Sequence, residues 1–281
     1  MSTTKKLLLM GGGDCDFLSY EWFVEAATQK IIEGGGTLQI MGIPWASVRT
    51  NEELNQDWIE WGTAKGEGGE SILSAISLCG FAPPASELIA DPQLLVSFME
   101  KLSNATHGLF FFGGDQSKIM NLLENPACVG LQTLFLELYH SGKCAIAGTS
   151  AGAAVMSKTM LTGECVPPSA DGTWSFIESQ GRVETRQGLG VLQNVIVDQH
   201  FLRRSRMNRL LSVLLASREQ YAIGVDEDVA CSVEDNTALN VFGKEGSIVT
   251  LFERVVDAQQ VSTFVIRILN VGQRFNLTYN I

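Results

Sequence analysis

A serine in a tight glycine-flanked turn, a histidine at a strand end and a nearby carboxylate could together perform acyl transfer, and this chain offers all of them. The serine is Ser150, within Gly148-Thr149-Ser150-Ala151-Gly152. The apolar run Cys144-Ala145-Ile146-Ala147 precedes it, and Ala153-Ala154-Val155-Met156 follows. G-x-S-x-G thus falls between an expected strand and an expected helix, the context in which the pattern forms a nucleophile elbow. Small flanking residues let the backbone turn sharply, and the following helix aims its first N–H groups at negative charge developing there. The same residues also suit a plain strand–helix turn, so the partners of Ser150 decide its chemistry.

A serine hydroxyl needs a base, and the chain has 3 histidines. His107 precedes the strand beginning at Gly108, at the end opposite the expected site, and His140 closes a helix before Ser141-Gly142. His200 ends the run Val195-Ile196-Val197-Asp198-Gln199, which places it on the same rim as Ser150. Its orienting carboxylate comes from Asp198, Asp226, Glu227 or Asp228, the last three following the strand-like run Tyr221 to Val225. Spacing alone leaves that choice open. For an oxyanion hole, the amide of Ala151 supplies one donor, and the low-bulk pair Gly113-Gly114 at a neighbouring strand end supplies the other. A basic cluster, Arg203, Arg204, Arg206 and Arg209, follows His200; guanidinium forks there suit recognition of carboxylates.

The elements that must hold these groups alternate along the chain. Leu7 to Met10 reads as a strand ending in a glycine loop, Phe17 to Ile32 as a helix, Thr37 to Ile43 as a strand, and Asp91 to Leu102 as a helix. Thr50 and Glu53 have the spacing of a capping box. Gly108 to Phe112 reads as a buried strand, and helical stretches lead from it to the strand before Ser150. Such alternation predicts an α/β fold, a mostly parallel sheet with helices on both faces, in one domain spanning 1–281. Ligands then bind beyond the carboxyl ends of the strands, so the loops after Met10, Phe112, Ala147 and Val197 should share one site. Glu164 to Gln187 is a polar excursion, a lid or an insertion, and the short runs after Tyr221 predict antiparallel strands finishing the same domain.

Composition narrows the partners. A net charge of −11 argues against nucleic acid and anionic membranes. The 6 cysteines are scattered without a C-x-x-C pair, so neither a zinc site nor a disulfide framework is expected. The apolar stretch near the N-terminus is too short for a signal peptide, which predicts a cytoplasmic protein.

Taken together, Phe112-Gly113-Gly114-Asp115-Gln116, the Ser150 turn, Asp198-Gln199-His200-Phe201, Arg204-x-Arg206-x-x-Arg209-Leu210 and Ile223-Gly224-Val225-Asp226-Glu227 resemble the cyanophycinases and the related dipeptidase E group of serine peptidases. The resemblance runs in order over roughly residues 6 to 250. It implies a fold like that of class I glutamine amidotransferases, no cofactor or metal, a homodimer, and a Ser–His–Glu triad of Ser150, His200 and Glu227. It also implies that Gln116, Asp198, Gln199, Arg204, Arg206 and Arg209 bind substrate. The implied substrate is cyanophycin, a polyaspartate whose β-carboxyls carry arginine, released as β-Asp-Arg dipeptides. The alternative within the group is cleavage of other aspartyl or isoaspartyl peptides. Amidotransferase chemistry would require cysteine where Ser150 stands, and a mere binding protein has no need of all three groups. The loops at Gly11 to Asp16 and Pro44 to Ser47 and the excursion Glu164 to Gln187 depart from the family pattern.

Overall fold

The computed structural model describes residues 4–13, 17–34, 38–63, 80–163, 177, 183–256 and 262–278. Strands β1 (Lys6–Met10), β2 (Ile40–Ile43), β3 (Gly80–Phe81), β4 (Gly108–Phe111) and β5 (Ala145–Thr149) form a parallel array. Strand β10 (Val229–Glu234) joins β1 antiparallel, and β11 (Ala238–Gly243) and β14 (Arg274–Asn276) follow it outward. The central sheet therefore reads β14-β11-β10-β1-β5-β4-β2-β3. Side chains alternate across it as the pleat requires. Leu7 and Leu9 of β1 enter one core with Leu95, Phe98 and Leu102 of α4 (Pro92–Ala105) and Phe135 and Leu138 of α6 (Leu131–His140). Leu8 and Met10 enter the other, with Tyr20, Phe23 and Ala27 of α1 (Phe17–Gly34) and Leu54 and Trp58 of α2 (Asn51–Thr63). Helices cover both faces, as the near-continuous apolar strands demand.

The downstream strands do not all join the central sheet. Strands β8 (Val195–Asp198), β9 (Tyr221–Val225), β12 (Ile248–Val256) and β13 (Ser262–Asn270) form a second sheet in the order β13-β12-β9-β8. Of the runs after Tyr221, only β10, β11 and β14 complete the central sheet. The second sheet is held to it by shared packing: Val195, Val197 and Ile223 lie in the same core as Leu7 and Ile146. Its other face packs on α8 (Met207–Ala216) through Leu210 and Leu214. The excursion returns as β7 (Thr185–Gln187), paired with β6 (Thr159–Leu161), while 164–176 and 178–182 lie outside the described residues.

Local signals are honoured. The Thr50 amide donates to Glu53 Oε2 at 2.8 Å and the Glu53 amide to Thr50 Oγ1 at 3.3 Å, the reciprocal bonds of a capping box. Asp91 caps α4 through the amides of Gln93 and Leu94 at 2.9 and 3.1 Å. Between the second strand and α4, helix α3 (Ala85–Ala90) was not signalled by periodicity, being barely more than one turn. Cys144 and Cys231 are fully buried in the central sheet; burial raises both thiols, that of Cys231 to about 12.

Candidate active site

The loop after β1 assembles the site from backbone alone. Met10 O accepts from the Ser150 amide at 2.9 Å, Gly11 O from the His200 amide at 2.9 Å, and Gly12 O from the Asp228 amide at 3.0 Å. Three consecutive carbonyls thus fix the turns bearing the serine, the histidine and the acidic residues. The glycines are required by contact. A Cβ on Gly11 would lie 1.7 Å from Asp226 O, and one on Gly12 (φ 106°) would lie 2.3 Å from His200 Cε1 and 2.6 Å from Nε2. This loop is the part of the site whose importance residue chemistry does not announce, because it contributes no side chain.

Ser150 sits between β5 and α7 (Ala151–Ala154) with φ 52° and ψ −116°, outside the conformations an ordinary L residue prefers. Tight packing imposes the turn. A Cβ on Gly148 would lie 2.1 Å from Gly152 O, and one on Gly152 would lie 2.1 Å from Phe111 O. The Ser150 hydroxyl is 2.9 Å from His200 Nε2, and His200 Nδ1 is 2.6 Å from Glu227 Oε1. Of the acidic trio, Glu227 therefore reaches the ring. Asp226 instead accepts from the amides of Leu202 and Arg203 at 3.1 and 3.0 Å, and Asp228 lies 3.8 Å from Lys244 Nζ.

Burial lowers the pKa of His200; the Glu227 hydrogen bond and charge oppose this, while Arg204 and Arg206 add to it. A neutral ring at neutral pH donates Nδ1–H to Glu227 and leaves Nε2 to accept the Ser150 proton. Gln199 Oε1 also lies 3.2 Å from Ser150 Oγ. The hydroxyl carries one proton, and both His200 Nε2 and Gln199 Oε1 lie within reach to accept it. A hydroxyl, an imidazole and a carboxylate joined in this way can deprotonate the hydroxyl as it attacks a carbonyl.

Other expected residues fall into two groups. A cleft of about 290 Å³ is lined by Gly12, Gly113, Gly114, Thr149, Ser150 and His200 among others, so the loops after Met10, Phe112 and Ala147 do meet there with the strand end at His200. Ala151 opens α7 directly after the serine. Gly114 (φ 140°) lies against Ala46, whose carbonyl a Cβ would approach to 2.0 Å. Asp198, Arg209 and Gln116, expected to bind substrate, are buried and held by partners within the protein. Asp198 is 1% exposed and Arg209 is 7% exposed. Arg209 Nε donates to Asp198 Oδ2 at 2.8 Å and Nη2 to Oδ1 at 2.5 Å. Gln116 donates to Leu161 O at 2.8 Å and is equally buried. Asp198 and Arg209 thus form an internal ion pair, with Arg206 Nη1 3.5 Å from Asp198 Oδ1. Arg206 donates to Gln199 O at 2.7 Å and so holds the residue beside the hydroxyl. Arg204 is exposed. Sequence reasoning missed Arg49 and Asp57, which line the same cleft.

The fold and site thus define a class, an α/β protein with serine, histidine and glutamate linked at the carboxyl ends of β5, β8 and β9. The model of peptidase family S51 matches residues 88–241, which hold all three, and the chain belongs to that family. It is 36% identical to a cyanophycinase of Synechococcus elongatus over 167 residues, 58% of this chain and 45% of the relative. It is 34% identical to a cyanophycinase of Trichormus variabilis over 184 residues, 62% of this chain and 58% of the relative. The chain therefore spans about half the length of the curated relatives it matches. A peptidase from an acI-B1 Actinobacterium shares the fold over 98% of both chains, at TM-score 0.63 and 19% identity. Among the described residues no helix is long and apolar enough to cross a membrane.

Proposed function

We propose that this chain is a serine exopeptidase that hydrolyses cyanophycin to β-Asp-Arg dipeptides. The observation that carries the reading is the linkage Ser150 Oγ–His200 Nε2–His200 Nδ1–Glu227 Oε1, at 2.9 and 2.6 Å. The turn at Ser150 acts as a nucleophile elbow on a scaffold like that of class I glutamine amidotransferases. Ser150 Oγ attacks the scissile carbonyl as His200 takes its proton, with Glu227 holding the ring and stabilising the imidazolium. The amides of Ala151 and Gly114 face the developing oxyanion, a contribution of about 3–4 kcal/mol per donor. His200 then protonates the departing amine, leaving an ester on Ser150. Water, deprotonated by His200, cleaves that ester and restores the hydroxyl. The cyanophycinase relatives support the substrate, and the exposed Arg204 offers a cation near the site for substrate carboxylates. The same resemblance supports a homodimer.

The test is incubation of the purified protein with cyanophycin and with short aspartyl and isoaspartyl dipeptides, with products identified by mass. Release of β-Asp-Arg from the polymer, abolished in Ser150→Ala while polymer binding persists, supports the proposal. Cleavage of the short peptides alone moves the substrate to other aspartyl peptides, and undiminished cleavage by Ser150→Ala removes the triad reading.

A further inference from the structure

The cleft at Ser150 does not end at the reacting groups. It shares Ser47 and Arg49 with a neighbouring cleft of about 460 Å³ lined by Trp45, Asn51, Glu52 and Ser86 among others. Arg49 stands at the junction, and among the described lining residues of both clefts it is the one arginine or lysine. Its position is set by several independent contacts. The backbone amide of Arg49 donates to Ser47 Oγ at 3.0 Å. Its guanidinium pairs in a two-point fork with Asp57 on α2, Nη2 donating to Oδ1 at 2.8 Å and Nη1 to Oδ2. Nη2 also donates to Glu53 O at 3.2 Å, in the turn closed by the capping box.

A guanidinium has five N–H donors. Those contacts engage three of them and leave Nε–H and one Nη1–H on a side chain that is 45% exposed. A cation held in this way loses little rotamer freedom when an anion arrives, which is what makes such a group selective.

We infer that Arg49, steadied by Asp57, binds a carboxylate of the substrate chain where it passes from the Ser150 cleft into the neighbouring one, and so selects acidic peptides. The assignment deepens the peptidase reading and rests on it for the direction of the chain, but its test needs no turnover. Titration calorimetry on the full chain carrying Ser150→Ala would compare an aspartyl-arginine dipeptide bearing a free α-carboxylate with its α-amide. Binding of the acid should be about tenfold or more tighter than the amide, the range of a charge-assisted hydrogen bond. Arg49→Gln should erase that preference, Arg49→Lys restore part of it, and Asp57→Asn reduce it, with thermal midpoints recording that each variant folds. Equal affinity for acid and amide in the parent, or a preference unchanged by Arg49→Gln, overturns the proposal. If the acid preference depends on Arg49 yet wild-type protein cleaves neither peptide nor polymer, the carboxylate site stands and the peptidase reading falls.

Discussion

At the scale of single residues, the environment of His200 makes two opposite expectations. As the base it must be neutral, so kcat/KM should fall as pH drops through its pKa, which burial holds below the ordinary histidine value. Arg204 lowers that pKa, so Arg204→Gln should move the acid limb of the pH profile upward. Glu227 raises it, so Glu227→Gln should move the limb downward while cutting the rate by about 10⁴-fold, as loss of an orienting carboxylate does elsewhere. Profiles that shift the same way in both variants would remove Glu227 and Arg204 as electrostatic neighbours of the base. A second expectation concerns Asp198, paired in the interior with Arg209 and, at 3.5 Å, with Arg206. Arg209→Met removes the two-point fork and leaves the buried carboxylate with Arg206 at 3.5 Å, and should cost about 3 kcal/mol in urea unfolding, whereas Asp198→Leu with Arg209→Met should recover part of it. A single variant that keeps its stability but loses substrate would give the pair a binding role.

At the scale of elements, the loop from Met10 to Gly12 should be more sensitive than its composition suggests. Gly12→Ala places a methyl against the imidazole and should lower kcat by about 10²-fold, a displacement effect, while circular dichroism stays near wild type. Wild-type turnover would show that the ring has room to retreat. This loop also marks how far the sequence could be read. Ser150 was legible because glycine spacing and flanking apolar runs are local, as were the capping box at Thr50 and the cap at Asp91. His200 was legible because elimination among so few histidines is simple. The choice of Glu227 over Asp226 needed either resemblance or geometry, since adjacent positions in a turn differ in direction, not in pattern. The Asp198–Arg209 pair hid in a cluster that reads as a recognition surface. Arg49 and Asp57 escaped because their fork spans a loop and two helical turns. The division into two sheets was likewise invisible, because strand periodicity reports burial and not the neighbour a strand will choose.

At the scale of the whole molecule, the proposed reacting groups are divided between sheets: Ser150 follows β5 of the central sheet, while His200 and Glu227 follow β8 and β9 of the second. One continuous core joins the sheets, so far-UV circular dichroism and hydrolysis should be lost at the same urea concentration. Activity vanishing well before secondary structure would mean that the sheets part first. The two thiols sealed in the central sheet offer a way to time such an event. Cys144 leads into β5, and Cys231 faces Leu9 across the β1–β10 ladder. Raised by burial, neither presents a thiolate to solvent while the strands stay paired. Alkylation at these positions, followed peptide by peptide by mass spectrometry, should therefore be gated by strand opening, turning two inert side chains into a stopwatch for the lifetime of the native state.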